Sequence, residues 1–227
     1  MAAPDAALLE DALGAVRALA PESAEGYRLV RAAIDADGAL DGATKALLVG
    51  AAAAARGHDR LAQRELARAR YLGVTDEQLA SAAAMLLLSR GEGVLERFVA
   101  AAGPIAPGGT WREPDARDGT RYFLDYVGAG ELPARVALLA GASPTAFDGY
   151  HRMHHAALSA DPEAGLLAEL VCCALNAAEL RGDFVAIHVA SARRAGATRE
   201  QLVEALLCAI PVGGVAAWAA ACDALDA

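Results

Sequence analysis

Four of the five histidines, His151, His154, His155 and His188, fall in the second half of the chain. Imidazole is the side chain that exchanges a proton near neutral pH, so this bias points to proton-transfer or metal chemistry. His151, His154 and His155 form H-x-x-H-H. On a helix His151 and His155 share a face and could grip a metal. Only His188 or Glu169, from other segments, offers a third ligand; the plain alternative is a polar helix face, and the expectation is no metal and no cofactor. The four cysteines, Cys172, Cys173, Cys208 and Cys222, contain no C-x-x-C spacing. Cys172 and Cys173 are adjacent, so on a helix their side chains diverge by about 100°. A cycling disulfide needs two thiols that meet. All four lie in apolar runs, where a buried free thiol is the ordinary state.

The elements that carry these residues read as helices throughout. Hydrophobic residues make up 56% of the chain, but most are alanine, and aromatics are only 5%. Alanine is the best helix former, and the β-branched and aromatic residues that favour strands are sparse. The fold class expected is all-α. The sequence also matches itself, without gaps, at a shift of 123 residues: Pro21 with Pro144, Tyr27 with Tyr150, Gly42 with Gly165, Gly73 with Gly196, Thr75 with Thr198 and Gly91 with Gly214. Glycine, proline and threonine at shared positions punctuate structure, whereas alanine matches are cheap. Two tandem helical copies forming an intramolecular pseudo-dimer are therefore expected, over residues 1–103 and 133–227. The segment 104–132 reads as a loop-rich connector. Its Trp111, Arg112, Arg121, Tyr122 and Tyr126 set it apart from a flexible Gly/Ser linker and suit packing on the surface, or over a pocket.

Within the second copy the spacing predicts helices over about 144–158, 165–180 and 184–195, with an interruption at Arg181-Gly182-Asp183. Ser143-Pro144 is a start signal, Gly196 a stop, and Thr198 to Gln201 a capping box. The next helix ends before Pro211 and the last begins near Gly213. The first copy repeats these signals.

The series Glu169, His188, Gly196-Ala197-Thr198, Glu204 and Gly213-Gly214 resembles the core of the carboxymuconolactone decarboxylase / alkylhydroperoxidase D-like superfamily. That core has a glutamate late in one helix, a histidine 19 residues later on the next, a Gly-(Ala/Val)-Thr turn, and a Gly-rich segment. The peroxidase-like branch carries C-x-x-C before the histidine; here those positions are Arg181 and Phe184. The decarboxylase-like branch keeps the histidine without the cysteines, and the second copy is similar to it. Gly213-Gly214 departs from the Gly-x-Pro of that branch, so a relative performing an isomerisation or cyclisation is as compatible as lactone decarboxylation.

The resemblance implies cofactor-independent acid–base chemistry on a small carboxylated or lactone-like metabolite, by a lyase or isomerase. It implies His188 as general acid/base and Glu169 as its partner, with Arg181 as an anion clamp. His154, His155 and Glu204 are further candidates for substrate binding. Each has a plain alternative: a hydrogen-bonded helix histidine, a Glu169 paired with Arg193 or Arg194, a solvated turn arginine, a helix-face charge at Glu204. In the first copy the equivalent positions hold Ala46, Glu65 and His58, which reads as a degenerate site and a scaffold role. Relatives built from one unit form rings, so a homo-oligomer, a trimer of duplicated chains, is implied.

A formal net charge of −9 repels phosphate backbones, so no nucleic-acid partner is expected. The uncharged run from Ala205 to Cys222 contains Pro211, Gly213 and Gly214, which suits two buried helices with a turn and no membrane partner. Residues 1–10 lack a signal-peptide pattern, so a cytoplasmic location is expected. Alternatives to an enzyme of this kind are a non-catalytic binding or assembly protein, or a thiol peroxidase using the unusual cysteines.

Overall fold

The computed structural model describes residues 6–106, 115–159 and 161–226. Residues 1–5 and the connector's Gly108-Gly109, Trp111, Arg112 and Pro114 lie outside them. Every element among the described residues is helical, which bears out the all-α expectation. The first half holds α1 (Ala6–Leu19), α2 (Pro21–Asp35), α3 (Gly42–Ala55), α4 (Asp59–Tyr71), α5 (Asp76–Arg90) and α6 (Glu92–Ala102). Then come α7 (Gly119–Val127) and α8 (Ala134–Ala142). The second half holds α9 (Pro144–Leu158), α10 (Pro162–Ala178), α11 (Gly182–Arg194), α12 (Arg199–Leu207), α13 (Ile210–Gly213) and α14 (Val215–Ala221), closed by a 3-10 turn, Cys222–Leu225. No helix among these is long and apolar enough to cross a membrane.

The bounds of α2 and α9, and of α4 and α11, coincide at the 123-residue shift read from the sequence. Left-handed backbone recurs at the same shift, at Gly57 and Leu180, Gly73 and Gly196, and Gly91 and Gly214. Both capping boxes form, Thr75 with Gln78 and Thr198 with Gln201. Gly42 and Gly165 are needed for close approach, because a side chain there would run into the carbonyl of Asp35 or Leu158 at the end of the preceding helix.

Three details differ from the sequence reading. Helix α10 starts at Pro162, because Asp161 accepts from the Ala164 amide at 2.8 Å and proline suits the first helical position. The break before α11 falls at Glu179–Arg181, with Leu180 in the left-handed region (φ 61°), so Gly182 opens the helix rather than interrupting it. The connector contains a full helix, α7, because Asp118-Gly119 is a helix cap and not a turn: Asp118 accepts from the Arg121 amide at 3.0 Å.

At the centre, α3 and α10 pack on each other, and α10 also packs on α5. Ala46 to Ala54 and Ala168 to Ala178 are buried on all sides, as expected for helices wrapped by others. Both halves share one hydrophobic core. A polar clamp joins them: Glu204 of α12 accepts from the Ala39 and Leu40 amides at 2.9 and 2.8 Å and lies 3.2 Å from the buried Lys45 ammonium. A smaller cluster of Tyr122, Phe123 and Val136 fixes α7 and α8 over α9.

Candidate active site

A cavity of about 570 Å³ opens between the two halves, between α5, α7, α9, α10 and α11. Met85, Leu88, Phe123, Val136 and Ile187 supply apolar wall. Its polar centre is the pair anticipated from the sequence. His188 Nδ1 lies 2.7 Å from Glu169 Oε2, with the Glu169 side chain 3% exposed and the His188 ring 18% exposed. They meet because α10 and α11 pack as an antiparallel pair across the short Glu179–Arg181 turn. The second oxygen of Glu169 is also satisfied: Tyr126 of α7 donates its hydroxyl to Oε1 at 2.6 Å. A buried carboxylate needs such partners, since an unpaired one costs several kcal/mol.

The electrostatics separate the two cavity-lining histidines. Burial alone would depress the His188 imidazolium, but its contacts with Cys172 and Glu169 outweigh that and push its pKa up to about 10. Burial raises the Cys172 thiol itself, so Cys172 stays a thiol at neutral pH. His154 moves the other way, down to about 3, through burial first and then the neighbouring His188, His151 and His155. It is a neutral imidazole whose Nδ1 lies 2.8 Å from the Tyr122 hydroxyl, which also meets Ser159 Oγ at 2.8 Å.

The remaining candidates fall elsewhere. Arg181 does not line the cavity; its side chain is 42% exposed and its guanidinium lies over the Phe184 ring at 4.0 Å, with Glu179 at 3.8 Å. Glu204 is held in the inter-half clamp, far from the cavity lining. His155 is half-buried against the edge of Tyr122, 5.7 Å between centroids, and does not line the cavity. His151 faces Asp115, Nε2 to Oδ2 3.6 Å, and lies tilted against the Tyr122 ring, 4.8 Å between centroids. The H-x-x-H-H helix is thus occupied by the connector. Among the described residues no three ligating side chains converge on one point. Cys172, Cys173 and Cys208 are fully buried.

Sequence reasoning missed the arginines that do line the cavity. Arg90, from the first half, reaches across to Glu179 (3.0 and 2.8 Å) and to Asn176 Oδ1 (2.8 Å). Arg194 donates to Ser191 Oγ at 2.7 Å and lies 5.9 Å from the Tyr126 ring centre. Arg135 lies 5.5 Å from that of Phe184. Neither Arg135 nor Arg194 pairs with a carboxylate among the described residues. The repeat drew attention to shared positions, and these arginines are not shared ones; the sequence offered Arg194 only as an alternative ion-pair partner for Glu169, not as a cavity residue.

The fold is all-helical among the described residues, and its cavity holds a buried carboxylate–imidazole pair from adjacent helices. Residues 144–227, from the start of α9 onward, match the model of the Carboxymuconolactone decarboxylase family. A search of curated proteins finds no match to the chain.

Proposed function

We propose that the protein is a cofactor-independent acid–base enzyme, a lyase or isomerase acting on a small carboxylated or lactone-like metabolite. The observation that carries this reading is the 2.7 Å contact between His188 and Glu169 inside a cavity large enough for such a ligand. With the proton held on the pair at neutral pH, His188 is first a proton donor. Its Nδ1 is taken by Glu169, so Nε2 is the nitrogen left for a substrate. Arg194 and Arg135, at the same cavity, attract the carboxylate. In a decarboxylation the carbon–carbon bond to the leaving CO2 breaks and its electron pair passes into an enolate. The Nε2 proton then goes to carbon, and water restores it to His188. An isomerisation instead uses the neutral imidazole: Nε2 takes the proton from the carbon beside the carbonyl, the C–H electron pair passes into a dienolate, and Nε2 returns that proton to the far carbon.

The matching helix bounds support two copies of one unit in tandem, with the second carrying the chemistry and the first acting as scaffold and roof. The test is a panel of small keto, unsaturated and lactone acids followed in D2O for solvent deuterium on carbon or release of CO2. His188→Gln and Glu169→Gln should each lower turnover at least about 100-fold. Turnover unchanged in both variants would remove the acid–base assignment.

A further inference from the structure

Resting on the proton-transfer reading above, we infer that Tyr126, contributed by the connector helix outside the family-matched segment, is a positioning residue of the site: its hydroxyl fixes the Glu169 carboxylate and thereby sets how tightly His188 holds its proton. The geometry is directional. Tyr126 donates its hydroxyl to Glu169 Oε1 at 2.6 Å. Glu169 is left with Oε2 for His188 Nδ1. A tyrosine hydroxyl has one proton, and here it is given to Glu169. The contacts therefore run from the Tyr126 phenol through Glu169 to the imidazole.

Position matters as much as bonding. Tyr126 is held by its own surroundings: its ring stacks near Tyr122 at 6.0 Å and meets His154 edge-on at 4.6 Å. Burial, then the charge on Glu169, keep its phenol protonated well above its ordinary range, so it acts as a fixed donor and not as an acid. A donor to a carboxylate partly offsets its charge and so weakens its pull on a neighbouring imidazolium. Other titratable groups around His188 are Glu169 and Cys172 on α10, His154 on α9, Arg90 on α5 and Arg194 on α11 itself. The closing turn that packs on α11 brings Cys222 and Asp223, neither of which lines the cavity.

The sign of the effect separates this role from a merely structural one. Replacing Tyr126 by phenylalanine leaves the ring and removes the hydroxyl, so Glu169 pulls harder and His188 titrates higher. General loosening of the site would let His188 drift down toward the ordinary imidazole value. The experiment is an NMR titration of the imidazole signals in the full chain, with His188→Gln assigning the His188 resonance, for wild type, Tyr126→Phe and Glu169→Gln, with circular dichroism melts verifying each fold. Tyr126→Phe should raise the His188 titration by about half a pH unit, and Glu169→Gln should lower it by more. A Tyr126→Phe titration that is unmoved or lowered, with Glu169→Gln still lowering it, overturns the tyrosine role alone. If Glu169→Gln also leaves His188 unmoved, the pair itself is not coupled and the functional reading fails with it.

Discussion

The two halves of this chain share the bounds of two helix pairs at the 123-residue shift and fill corresponding positions in opposite ways. In the second half, His154, Glu169 and His188 face a cavity. The residues 123 positions earlier are Arg31, Ala46 and Glu65. There Arg31 bonds Glu65 at 3.0 and 3.2 Å and Asp35 at 2.8 Å, Arg64 bonds Glu65 at 2.7 Å, and Arg68 lies 2.9 Å from Asp35. Long arginine side chains fill the space that imidazoles and Glu169 leave open, and their charges are spent on internal carboxylates. The roof differs too. Helix α5 runs unbroken to Arg90 and overlies α9, whereas its counterpart is split into α12 and α13 ahead of Pro211, where proline supplies no backbone donor. A shared helical frame thus makes an open polar site or a sealed ion-pair cluster according to a few side chains.

The sharpest way to break this comparison is to open the sealed cluster. Glu65 is fully buried and Arg31 nearly so. Glu65→Ala strands Arg31 without its main partner and should cost about 3–5 kcal/mol in urea unfolding. A loss below about 1 kcal/mol would mean that the cluster is not a closed electrostatic unit.

A smaller effect is expected at the inter-half clamp. Glu204→Ala leaves the Ala39 and Leu40 amides and Lys45 short of their acceptor and should cost about 1–3 kcal/mol. Burial opposes the Glu204 charge, but the Leu40 and Ala39 amides and Lys45 win, and its pKa is lowered from 4.5. A lowered folded-state pKa means that the contribution is complete above pH 4.5 and is lost as pH falls through the lower folded value. The variant and the wild type should therefore converge in stability under acid, and ligand binding should not change. An unaltered acid-unfolding profile would show that the clamp contributes nothing.

The smallest effect compares Leu180 with Gly57, which share left-handed backbone. Leu180 is half exposed, so Leu180→Gly gives up little burial while relieving strain. After the entropy that glycine adds to the unfolded chain, a net gain of about 0.5–1 kcal/mol is expected in thermal melts. A loss of stability would mean that the Leu180 side chain holds the turn.

Much of this was legible in the sequence, for identifiable reasons. Thr75, Gly73, Gly196 and Thr198 act through local backbone chemistry, which spacing reveals directly. Glu169 and His188 were legible through the resemblance to the superfamily core, whose separation of glutamate and histidine spans two packed helices joined by a short turn. Tyr126, Arg90, Arg135 and Arg194 were not legible as site residues, because they come from the connector, the first half, α8 and a helix terminus, and only tertiary packing brings them to one cavity. Glu204 and Arg181 misled for the converse reason: sequence order placed them beside the motif, but the packing turns one to the other half and the other outward.

The account stands on the second half holding an open site that takes a small anion while the first half is sealed. Titrating a short dicarboxylate such as succinate into isotope-labelled protein, and mapping the residues whose signals move, tests that most directly. Shifts should gather at His188, Arg194, Tyr126 and Arg90, saturate together, and vanish in His188→Gln or Arg194→Ala. Saturable shifts centred instead on Arg31, Glu65 and Arg68, with His188 unmoved, would contradict it.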